Sequence, residues 1–312
     1  MQKFNGWLNI YKPKNISSAH IINKVKRILG KGQKIGHAGT LDPMAEGILP
    51  VALGEATKLT GVMVDKSKTY EFAIQFGYKT DTADATGEII DKSNINIEEE
   101  KLIEILQKFT GKIQQIPSKY SAIKIDGQRA YKKARRGEVF DMPSREIYIH
   151  DIILEEFKKQ EGQAKIFCNC SKGTYIRTLA EDIAFGLQTL GFVIELRRLG
   201  VGSFKIDSSI SLAEFDLTKT EKENLDESKF ENSFKTLSQA ILPVDFVLDD
   251  IPVINIGQEV AKKVKFGQKV LFSDVNNHEY QKLTALKHDS KLIATGKIIE
   301  DGKFSINRVF NL

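Results

Sequence analysis

The first 41 residues of this chain lack aspartate and glutamate, although the 312-residue chain contains 41 such residues in all. Eight lysines and arginines lie in the same stretch. Carboxylates repel phosphates, so a surface that binds nucleic acid gains affinity by excluding them. The missing acids therefore favour a polyanionic partner, which the net charge of +5 for the whole chain indicates only weakly.

Cysteine is also scarce, since the chain has only Cys168 and Cys170. Two cysteines one residue apart cannot form a disulfide framework, and in a strand their side chains would point to one face. We therefore expect small buried apolar groups here, rather than redox or metal chemistry.

Long apolar runs are missing too. No run of about 18 apolar residues occurs, so no segment is predicted to span a membrane. The stretch MQKFNGWLNIYKPKN also lacks the apolar centre of a signal peptide. Both absences predict a cytoplasmic protein.

Several motifs for cofactors and for covalent catalysis are absent. The segment GKGQKIG does not satisfy the P-loop pattern, and neither a G-x-S-x-G elbow nor a dinucleotide fingerprint occurs. The five histidines, at positions 20, 37, 150, 278 and 288, show no metal-ligand spacing with cysteines or carboxylates. We therefore expect neither a cofactor nor a metal.

Hydrophobic periodicity predicts a mixture of helices and strands. Helices are expected near 18–29, 55–64 and 97–109, and a further one opening at Gly173 or Thr174. Ser17 or Ser18 should cap the first of these, and Asn96 the third. Strands are expected at 6–11, 69–76, 120–125, 147–157, 166–170 and 193–204. Because the two types mix without strict βαβ alternation, the large domain is predicted to be α+β.

Composition divides the chain in two. We expect one domain over 1–240 and a small β-rich domain over 244–312, where glycines punctuate short strands. Residues 216–235 hold ten charges in twenty positions, which is typical of a surface helix or a connector.

Basic residues are concentrated in one internal segment. Residues 119–136 contain seven lysines and arginines against one acid, Asp126, with Tyr120 and Tyr131 between them. Cations interleaved with aromatic rings suit phosphates and unstacked bases. The alternative is a solvated helix face. The acid-free beginning of the chain and the arginines at 177, 197 and 198 favour a nucleic acid.

The first acidic residue, Asp42, stands in the glycine-broken stretch GHAGTLDPMAEG, residues 36–47. A single carboxylate kept on a surface that faces phosphates should have a task. The alternative is a local turn, because Asp-Pro pairs often start one.

The stretch GHAGTLDPMAEGILPVALGEATKL resembles the signature of the TruB family of tRNA pseudouridine synthases. The similarity continues in order through LNIYKPKNISS, KTYEFAIQFGYKTDTADATGEI, YSAIKIDGQRAYKKARRG, CSKGTYIRTLAEDIA and LRRLGVGSF, and the C-terminal part is similar to the PUA-type RNA-binding module. The resemblance implies a mixed, largely antiparallel sheet flanked by helices. It also implies isomerisation of uridine to pseudouridine at position 55 in the T loop of tRNA, without a cofactor.

The resemblance also implies roles for single residues. Asp42 matches the catalytic aspartate of the family, and Arg177 matches the arginine that pairs with it. Tyr70 matches the tyrosine that stacks on the target base, which must be flipped out of the loop. His37 matches the histidine that fills the space left by flipping.

Two further sets of residues follow from the same match. Tyr175 and Leu196 match positions that line the uracil pocket. The segment 119–145 matches a mobile insertion that closes over the RNA, and there we expect contacts to the RNA backbone from four residues: Lys132, Lys133, Arg135 and Arg136.

Two other functions share these features. A non-catalytic tRNA-binding or tRNA-folding protein would have the basic surface but would not need Asp42, Tyr70 and Arg177 together. A guide-RNA-dependent pseudouridine synthase would share the core, although the 119–145 segment argues against it. We expect the tRNA T arm as partner and a monomer without an obligatory protein partner.

Overall fold

A computed structural model describes residues 3–30, 32–121, 123–211, 227–272, 281–299 and 302–312. Their centre is a ten-stranded sheet. The strands of this sheet are β1 Gly6–Lys12, β2 Ile35–His37, β3 Glu46–Leu53, β4 Lys68–Phe76, β7 Gly111–Gln115, β10 Arg145–Lys158, β11 Gln163–Cys170, β12 Gly191–Val201, β13 Phe204–Lys205 and β14 Ile210–Ser211. Eight of them follow the order β14-β1-β3-β12-β4-β11-β10-β7, while β2 pairs with β3 and β13 pairs with β12. All pairs are antiparallel except β1 with β14 and β3 with β12.

Helices and short hairpins surround this sheet. The helices are α1 Ser18–Leu29, α2 Thr60–Asp65, α3 Glu99–Lys108, α4 Ala130–Arg135, α5 Ile176–Gly186, α6 Glu227–Gln239 and α7 Gln258–Lys265, with 3-10 helices at Gly54–Leu59, Ile206–Ser208 and Val244–Leu248. The hairpins are β5 Tyr78–Thr80 with β6 Ile89–Lys92, and β8 Lys124–Ile125 with β9 Gln128–Arg129. The predicted α+β class is confirmed.

Local sequence explains the well-predicted elements. Ser17 caps α1 by accepting a hydrogen bond from the backbone N–H of His20, which satisfies one of the donors that a helix start leaves free. In β4 the even-numbered residues are buried and the odd-numbered ones half-buried, as the alternation predicted. Cys168 and Cys170 are buried free thiols on one face of β11, also as predicted.

The parallel contact between β3 and β12 requires a glycine. Gly47 pairs with Arg198, and its φ is +108°. A Cβ atom at Gly47 would lie 2.2 Å from the carbonyl oxygen of Arg198. Only glycine permits both this conformation and this approach of the two backbones.

A second, four-stranded sheet lies in the C-terminal part, in the order β15 Val253–Asn255, β16 Thr284–His288, β17 Lys291–Ile298 and β18 Phe304–Val309. It has a hydrophobic cluster of its own, which includes Val264, Leu286 and Ile293. One edge is nevertheless part of the larger core, because Phe310 is fully buried in the same cluster as Trp7. The two sheets thus share apolar packing.

Polar bonds fix the same edge. Lys58 donates to the carbonyl of Val309 at 2.8 Å, and Glu55 accepts from the backbone N–H of Asn311 at 2.8 Å. Lys287 on β16 pairs with Asp245 at 2.5 Å. These contacts tie the C-terminal sheet to the 3-10 helices of the larger part.

Several predicted boundaries were wrong. Asn96 does not cap the third helix, because α3 begins at Glu99 with Glu98 at the cap position and no side-chain bond. The predicted strand 120–125 is only Lys124–Ile125. The helix expected to open at Gly173 or Thr174 begins at Ile176.

The helix expected near 55–64 is a 3-10 helix followed by α2. The end of the predicted 216–235 connector lies in α6, whereas residues 212–226 lie outside the described residues. Within the described ranges, no helix has both the length and the apolar character needed to cross a bilayer.

Candidate active site

A cavity of about 290 Å³ lies at the centre of the large sheet, beside the loop that holds Asp42. Five of the six residues proposed for catalysis or substrate binding line it: Asp42, Tyr70, Tyr175, Arg177 and Leu196. They come from four separate parts of the chain, so the fold has brought them together. His37 is not among the lining residues.

A larger cavity of about 720 Å³ lies between α2 and the C-terminal sheet. Two of its lysines are already engaged, since Lys58 pairs with Glu55 at 2.6 Å and Lys66 pairs with Asp250. We therefore place the chemistry in the smaller cavity, where the side chain of Asp42 is 40% exposed and is held by Arg177.

Hydrogen bonds from the buried side chains of Lys12 and Ser18 hold the backbone of the Asp42 loop in place. The ammonium of Lys12, which is fully buried, shares its three N–H groups among four carbonyls, those of Pro13, Ile16, Pro43 and Ala45. The hydroxyl of Ser18 donates to the carbonyl of Leu41 and accepts from its N–H, both at 2.9 Å. The loop conformation is therefore set by buried side chains.

Burial lowers the pKa of Lys12 to about 8, against the attraction of Asp42, which raises it. The four carbonyls replace the water that this ammonium has lost. A lysine in this position costs folding free energy and yields a fixed loop.

The carboxylate of Asp42 is directed by Arg177. Its Oδ2 lies 3.0 Å from Nη2 of the guanidinium, and its side chain is 40% exposed towards the cavity. Among the described contacts, this carboxylate has no bond to the local backbone, so the simple turn alternative is not supported. The turn is instead closed by the main chain, from the N–H of Ala45 to the carbonyl of Asp42.

Arg177 bonds a second carboxylate that the sequence analysis did not identify. Nη1 lies 3.1 Å from Oδ2 of Asp84 and donates to the carbonyl of Thr82 at 3.0 Å. Asp84 is buried, and its other oxygen accepts from the hydroxyl of Thr82 and from the N–H and hydroxyl of Thr86. Arg177 therefore stands between one fixed, enclosed carboxylate and one open carboxylate.

A sequence signal for Asp84 exists in retrospect. It is the one acid in the stretch DATG, and threonine hydroxyls lie two positions before it and two positions after it, at Thr82 and Thr86. The guanidinium of an arginine can bond two partners at once. The stretch reads as a polar turn, and the chain does form a β5–β6 hairpin there. Its partner Arg177 in α5 is about 90 positions further along the chain, so the residues next to Asp84 in the sequence do not predict this pair.

Tyr70 forms the wall opposite the carboxylate. It lies on β4 directly across from Arg198 on β12, and Leu196 is the next inward residue of that strand. Burial raises the pKa of Tyr70 to about 12, partly offset by the adjacent Arg198. The phenol is therefore neutral at physiological pH, and its ring presents an aromatic surface to the cavity.

Arg198 is held by backbone carbonyls rather than by an acid. Its Nε donates to Ile48 at 2.7 Å and an Nη donates to Gly39 at 3.0 Å. Burial lowers its pKa, and the attraction of Asp42 acts in the opposite direction. This arginine adds positive potential behind the cavity, which favours anionic groups at the site.

His37 lies on β2, close to the Asp42 loop in sequence but outside the cavity wall. Burial lowers its pKa, and the charge of Arg198 lowers it further, so the ring is neutral at pH 7. Its Nδ1 is buried and has no hydrogen-bond partner among the described residues. The structure does not place His37 with the other five residues. Its expected role, to fill the space that the flipped base leaves in the RNA, stays a prediction.

The insertion, residues 116–144 between β7 and β10, reaches the cavity as well. Tyr120 and Ser121 line it, and the hydroxyl of Ser121 is buried without a hydrogen-bond partner in the described part of the chain. The insertion thus contributes to the cavity wall, which its basic composition did not suggest.

The four predicted backbone contacts of the insertion differ in accessibility. Lys132, Arg135 and Arg136 are exposed. Lys133 is largely covered, because it lies 3.4 Å from Asp126, 3.8 Å from Glu138 and over the ring of Phe140. It stabilises the insertion itself in this conformation.

The described residues contain no group of three His, Cys, Asp or Glu side chains arranged to hold a metal ion. The groups that face the cavity are a carboxylate, an arginine that orients it, and aromatic and aliphatic walls. Such a site can bind a planar nucleobase and place one carboxylate beside it, which can act as a nucleophile or as a general base.

Two family models match the chain. One is described as TruB family pseudouridylate synthase (N terminal domain) and matches residues 26–176. The other is described as tRNA pseudouridylate synthase B C-terminal domain and matches residues 177–249.

Curated relatives match over nearly the whole chain. The tRNA pseudouridine synthase B of Rickettsia akari (strain Hartford) is 44% identical over 309 residues, which are 99% of each chain. That of Rickettsia bellii (strain OSU 85-389) is 43% identical over 98% of each chain.

Solved structures support the fold alone. A Cbf5-Nop10-Gar1 complex contains a chain of TM-score 0.70 and 24% identity, with 97% of this chain and 84% of that chain covered. An H/ACA RNP bound to a substrate RNA contains another, of TM-score 0.70 and 22% identity, with 98% and 85% covered.

Proposed function

This chain belongs to the TruB family of pseudouridylate synthases, and from that premise we propose that it converts uridine to pseudouridine at position 55 in the T loop of tRNA. The family membership makes it an isomerase that forms pseudouridine in tRNA. The position in the loop and the residues that act on it are the finer part of the proposal.

One observation supports the proposed site above the others. Asp42 is the only carboxylate among the described residues that line the cavity, and Arg177 holds it at 3.0 Å while leaving 40% of the side chain exposed. A glycosidic isomerisation needs such a group near both ribose and base.

The reaction conserves every atom of the nucleotide apart from exchange of protons with water. The bond from C1′ to N1 breaks, the uracil turns, and C5 bonds to C1′. The proton on C5 is then lost and N1 gains one. Asp42 can attack the sugar, attack the base or remove a proton from the sugar, and each of these requires the ionised form.

Arg177 and Asp84 would act through Asp42. The guanidinium aims the open carboxylate, and the enclosed one fixes the guanidinium from the other side. Because both bonds come from a buried fork, the carboxylate is already oriented before RNA arrives.

The aromatic and aliphatic walls would receive the base. A uridine inside the folded loop must be flipped out to reach Asp42. Tyr70 offers a neutral ring for stacking, while Tyr175 and Leu196 close the other sides. His37 would occupy the space that the uridine leaves in the loop.

We also propose a division of labour along the chain. Residues 1–240 would carry the chemistry, and residues 244–312 would act as a PUA-like RNA-binding domain. Lys132, Lys133, Arg135 and Arg136 would contact the RNA backbone. We propose that the protein acts as a monomer without an obligatory protein partner, in the cytoplasm.

The test is an assay on a bare tRNA transcript labelled with tritium at C5 of uridine, with no guide RNA present. Release of about one tritium per tRNA is expected, because C5 loses its hydrogen only where it bonds to C1′. A transcript with cytidine at position 55 is the matched control and should release none. Release that depends on an added guide RNA, or that persists with the control transcript, would contradict the proposal.

A further inference from the structure

The insertion leaves and re-enters the sheet at one point. Gln115 is the last residue of β7 and Arg145 is the first residue of β10. The two residues are direct partners in the antiparallel register. The two ends of the insertion, residues 116–144, therefore meet at this pair. A movement of the insertion is transmitted to the sheet through these two residues first.

Gln115 holds the backbone of Tyr175 at two points. Its Oε1 accepts from the N–H of Tyr175 at 2.8 Å, and its Nε2 donates to the carbonyl of Tyr175 at 3.1 Å. The side chain of Gln115 is buried, with 1% of the residue exposed. A glutamine has one acceptor and one donor group, and both are used on a single residue here.

These two bonds stabilise the beginning of α5. Tyr175 is at its cap position and makes no capping bond with its own side chain. Backbone groups at a helix start have no partners within the helix. Gln115 supplies one from a neighbouring strand, two residues before Arg177.

Arg145 holds the ring of the same tyrosine. Its guanidinium lies over the Tyr175 ring, 5.6 Å from the centroid. Its Nε is buried without a hydrogen-bond partner in the described ranges, and no described carboxylate lies within ion-pair distance of this arginine. Its defined contact is therefore the face of Tyr175.

We propose that Gln115 and Arg145 are positioning residues, which fix Tyr175 in the cavity wall and couple the insertion to the end of α5 that carries Arg177. Neither of the two lines the cavity, so both act through Tyr175. The inference rests on the proposed function, because the position of Tyr175 matters for turnover only if the cavity receives a base. RNA that binds the insertion would therefore act on the pairing of β7 with β10, and this pairing also fixes the position of Tyr175 in the cavity wall.

Gln115→Leu tests the backbone bonds. It removes both of them at similar volume, and single-turnover tritium release at saturating tRNA should slow by about 10²-fold, the effect of a misplacement of about 1 Å. The Kd for tRNA by filter binding should stay near that of the wild type. The matched control is Gln114→Leu, since Gln114 is exposed and, in the described part of the chain, its side chain has one hydrogen bond, which it accepts from the hydroxyl of Ser144 at 3.0 Å. Its rate should not change.

Gln115→Glu separates positioning from a loss of general stability. Its carboxylate can accept from Tyr175 but cannot donate, whereas the protonated acid can do both. Burial raises the pKa of such an acid, so the rate relative to wild type should rise as the pH falls from about 8 to about 6. A flat ratio would overturn the inference.

Arg145→Met should slow the reaction less, by about two- to fivefold, which corresponds to about 0.5–1 kcal/mol for a cation over a ring. A readout independent of catalysis is the ¹⁹F resonance of Tyr175 in protein labelled with 3-fluorotyrosine, assigned with Tyr175→Phe. Gln115→Leu and Arg145→Met should shift it, and Gln114→Leu should not.

The two hypotheses fail differently. A wild-type protein that releases no tritium would refute the proposed function, and the ¹⁹F resonance would still test the positioning. An unmoved resonance or an undiminished rate in Gln115→Leu would overturn the positioning. If Gln115→Leu does not fold, the pH series of Gln115→Glu and the shift in Arg145→Met decide the matter.

Discussion

Positive charge is buried around the cavity and exposed in the insertion. Lys12, Arg177 and Arg198 are 0%, 8% and 1% exposed, and each is bonded to defined atoms of this chain. In the insertion, Lys132 and Arg135 face solvent. Runs of lysine and arginine in the sequence do not reveal this difference.

The difference separates two functions of the same residue type. A buried cation has lost its water, so it acts on the protein group to which it is bonded and fixes that group in place. An exposed cation can neutralise a phosphate of the RNA backbone and release the counterions condensed there. We therefore expect changes in the cavity to affect the rate, and changes in the insertion to affect the affinity and its salt dependence.

The largest effect should come from Asp42→Asn. Asparagine keeps the shape and any turn bond but removes the charge, so we expect turnover to fall by on the order of 10⁴-fold or more, as for other essential catalytic groups. Tritium release measures this, and filter binding and thermal melting should stay near the wild-type values. Substantial turnover by this variant would remove the reason for placing the chemistry in this cavity.

Asp84→Asn should have the next largest effect. Arg177 would keep Asp42 but lose its fixed partner, so the carboxylate would be aimed less well. We expect single-turnover rates to fall by about 10- to 100-fold at nearly constant tRNA affinity. The control is Asp81→Asn in the same hairpin, because Asp81 is exposed and, among the described residues, its carboxylate accepts one hydrogen bond, from the backbone N–H of Glu88. Equal rates in the two variants would mean that Asp84 does not assist Asp42.

Neutralising the exposed cations should change affinity instead. Replacing Lys132, Arg135 and Arg136 by glutamine should weaken tRNA binding by about tenfold or more at low salt and flatten the slope of log K against log [salt] by about two. The rate at saturation should be kept. Filter binding across a salt series measures both quantities.

Lys133→Gln is the informative comparison for that triple variant. Lys133 lies against Asp126, Glu138 and Phe140, so we expect its replacement to leave the salt slope nearly unchanged. A slope that flattened as much as for an exposed lysine would show that Lys133 leaves these partners when RNA binds.

The smallest effect concerns pH and stability. Burial lowers the pKa of Lys12 and of Lys68 to about 8 in the folded chain, whereas an unfolded lysine keeps its proton up to about 10.5. Between these values the unfolded chain binds more protons, so the free energy of unfolding should rise with pH from about 8 to about 10. Urea unfolding at several pH values measures the slope. Lys12→Met should reduce it, while Lys132→Met should not, and equal slopes in both variants would contradict the burial of charge.

The sequence predicted the elements that depend on neighbouring residues. The α1 helix and its Ser17 cap follow from local bonding, and β4 follows from its alternation. Asn96 failed as a cap although its residue type suits one, because α3 starts three positions later. The parts that sequence could not give are pairings between distant segments.

The site shows the same limit. Resemblance named Asp42 and Arg177 together, and the structure brings them to 3.0 Å. Asp84 and Gln115 escaped notice because their partners, Arg177 and Tyr175 at the start of α5, lie far along the chain and meet them only in the folded structure. Likewise, the composition change near residue 240 did not reveal that Phe310 belongs to the same buried cluster as Trp7.

The presence of Phe310 in this cluster has a consequence for how the protein is made. A ribosome adds residues at about 5–20 per second, so Phe310 follows Trp7 by tens of seconds. During this interval the apolar cluster around Trp7 lacks one of its fully buried rings, and the 3-10 helix at Gly54–Leu59 lacks the strand end that Lys58 and Glu55 bind. The nascent chain therefore leaves the apolar face around Trp7 incomplete until Phe310 has been added.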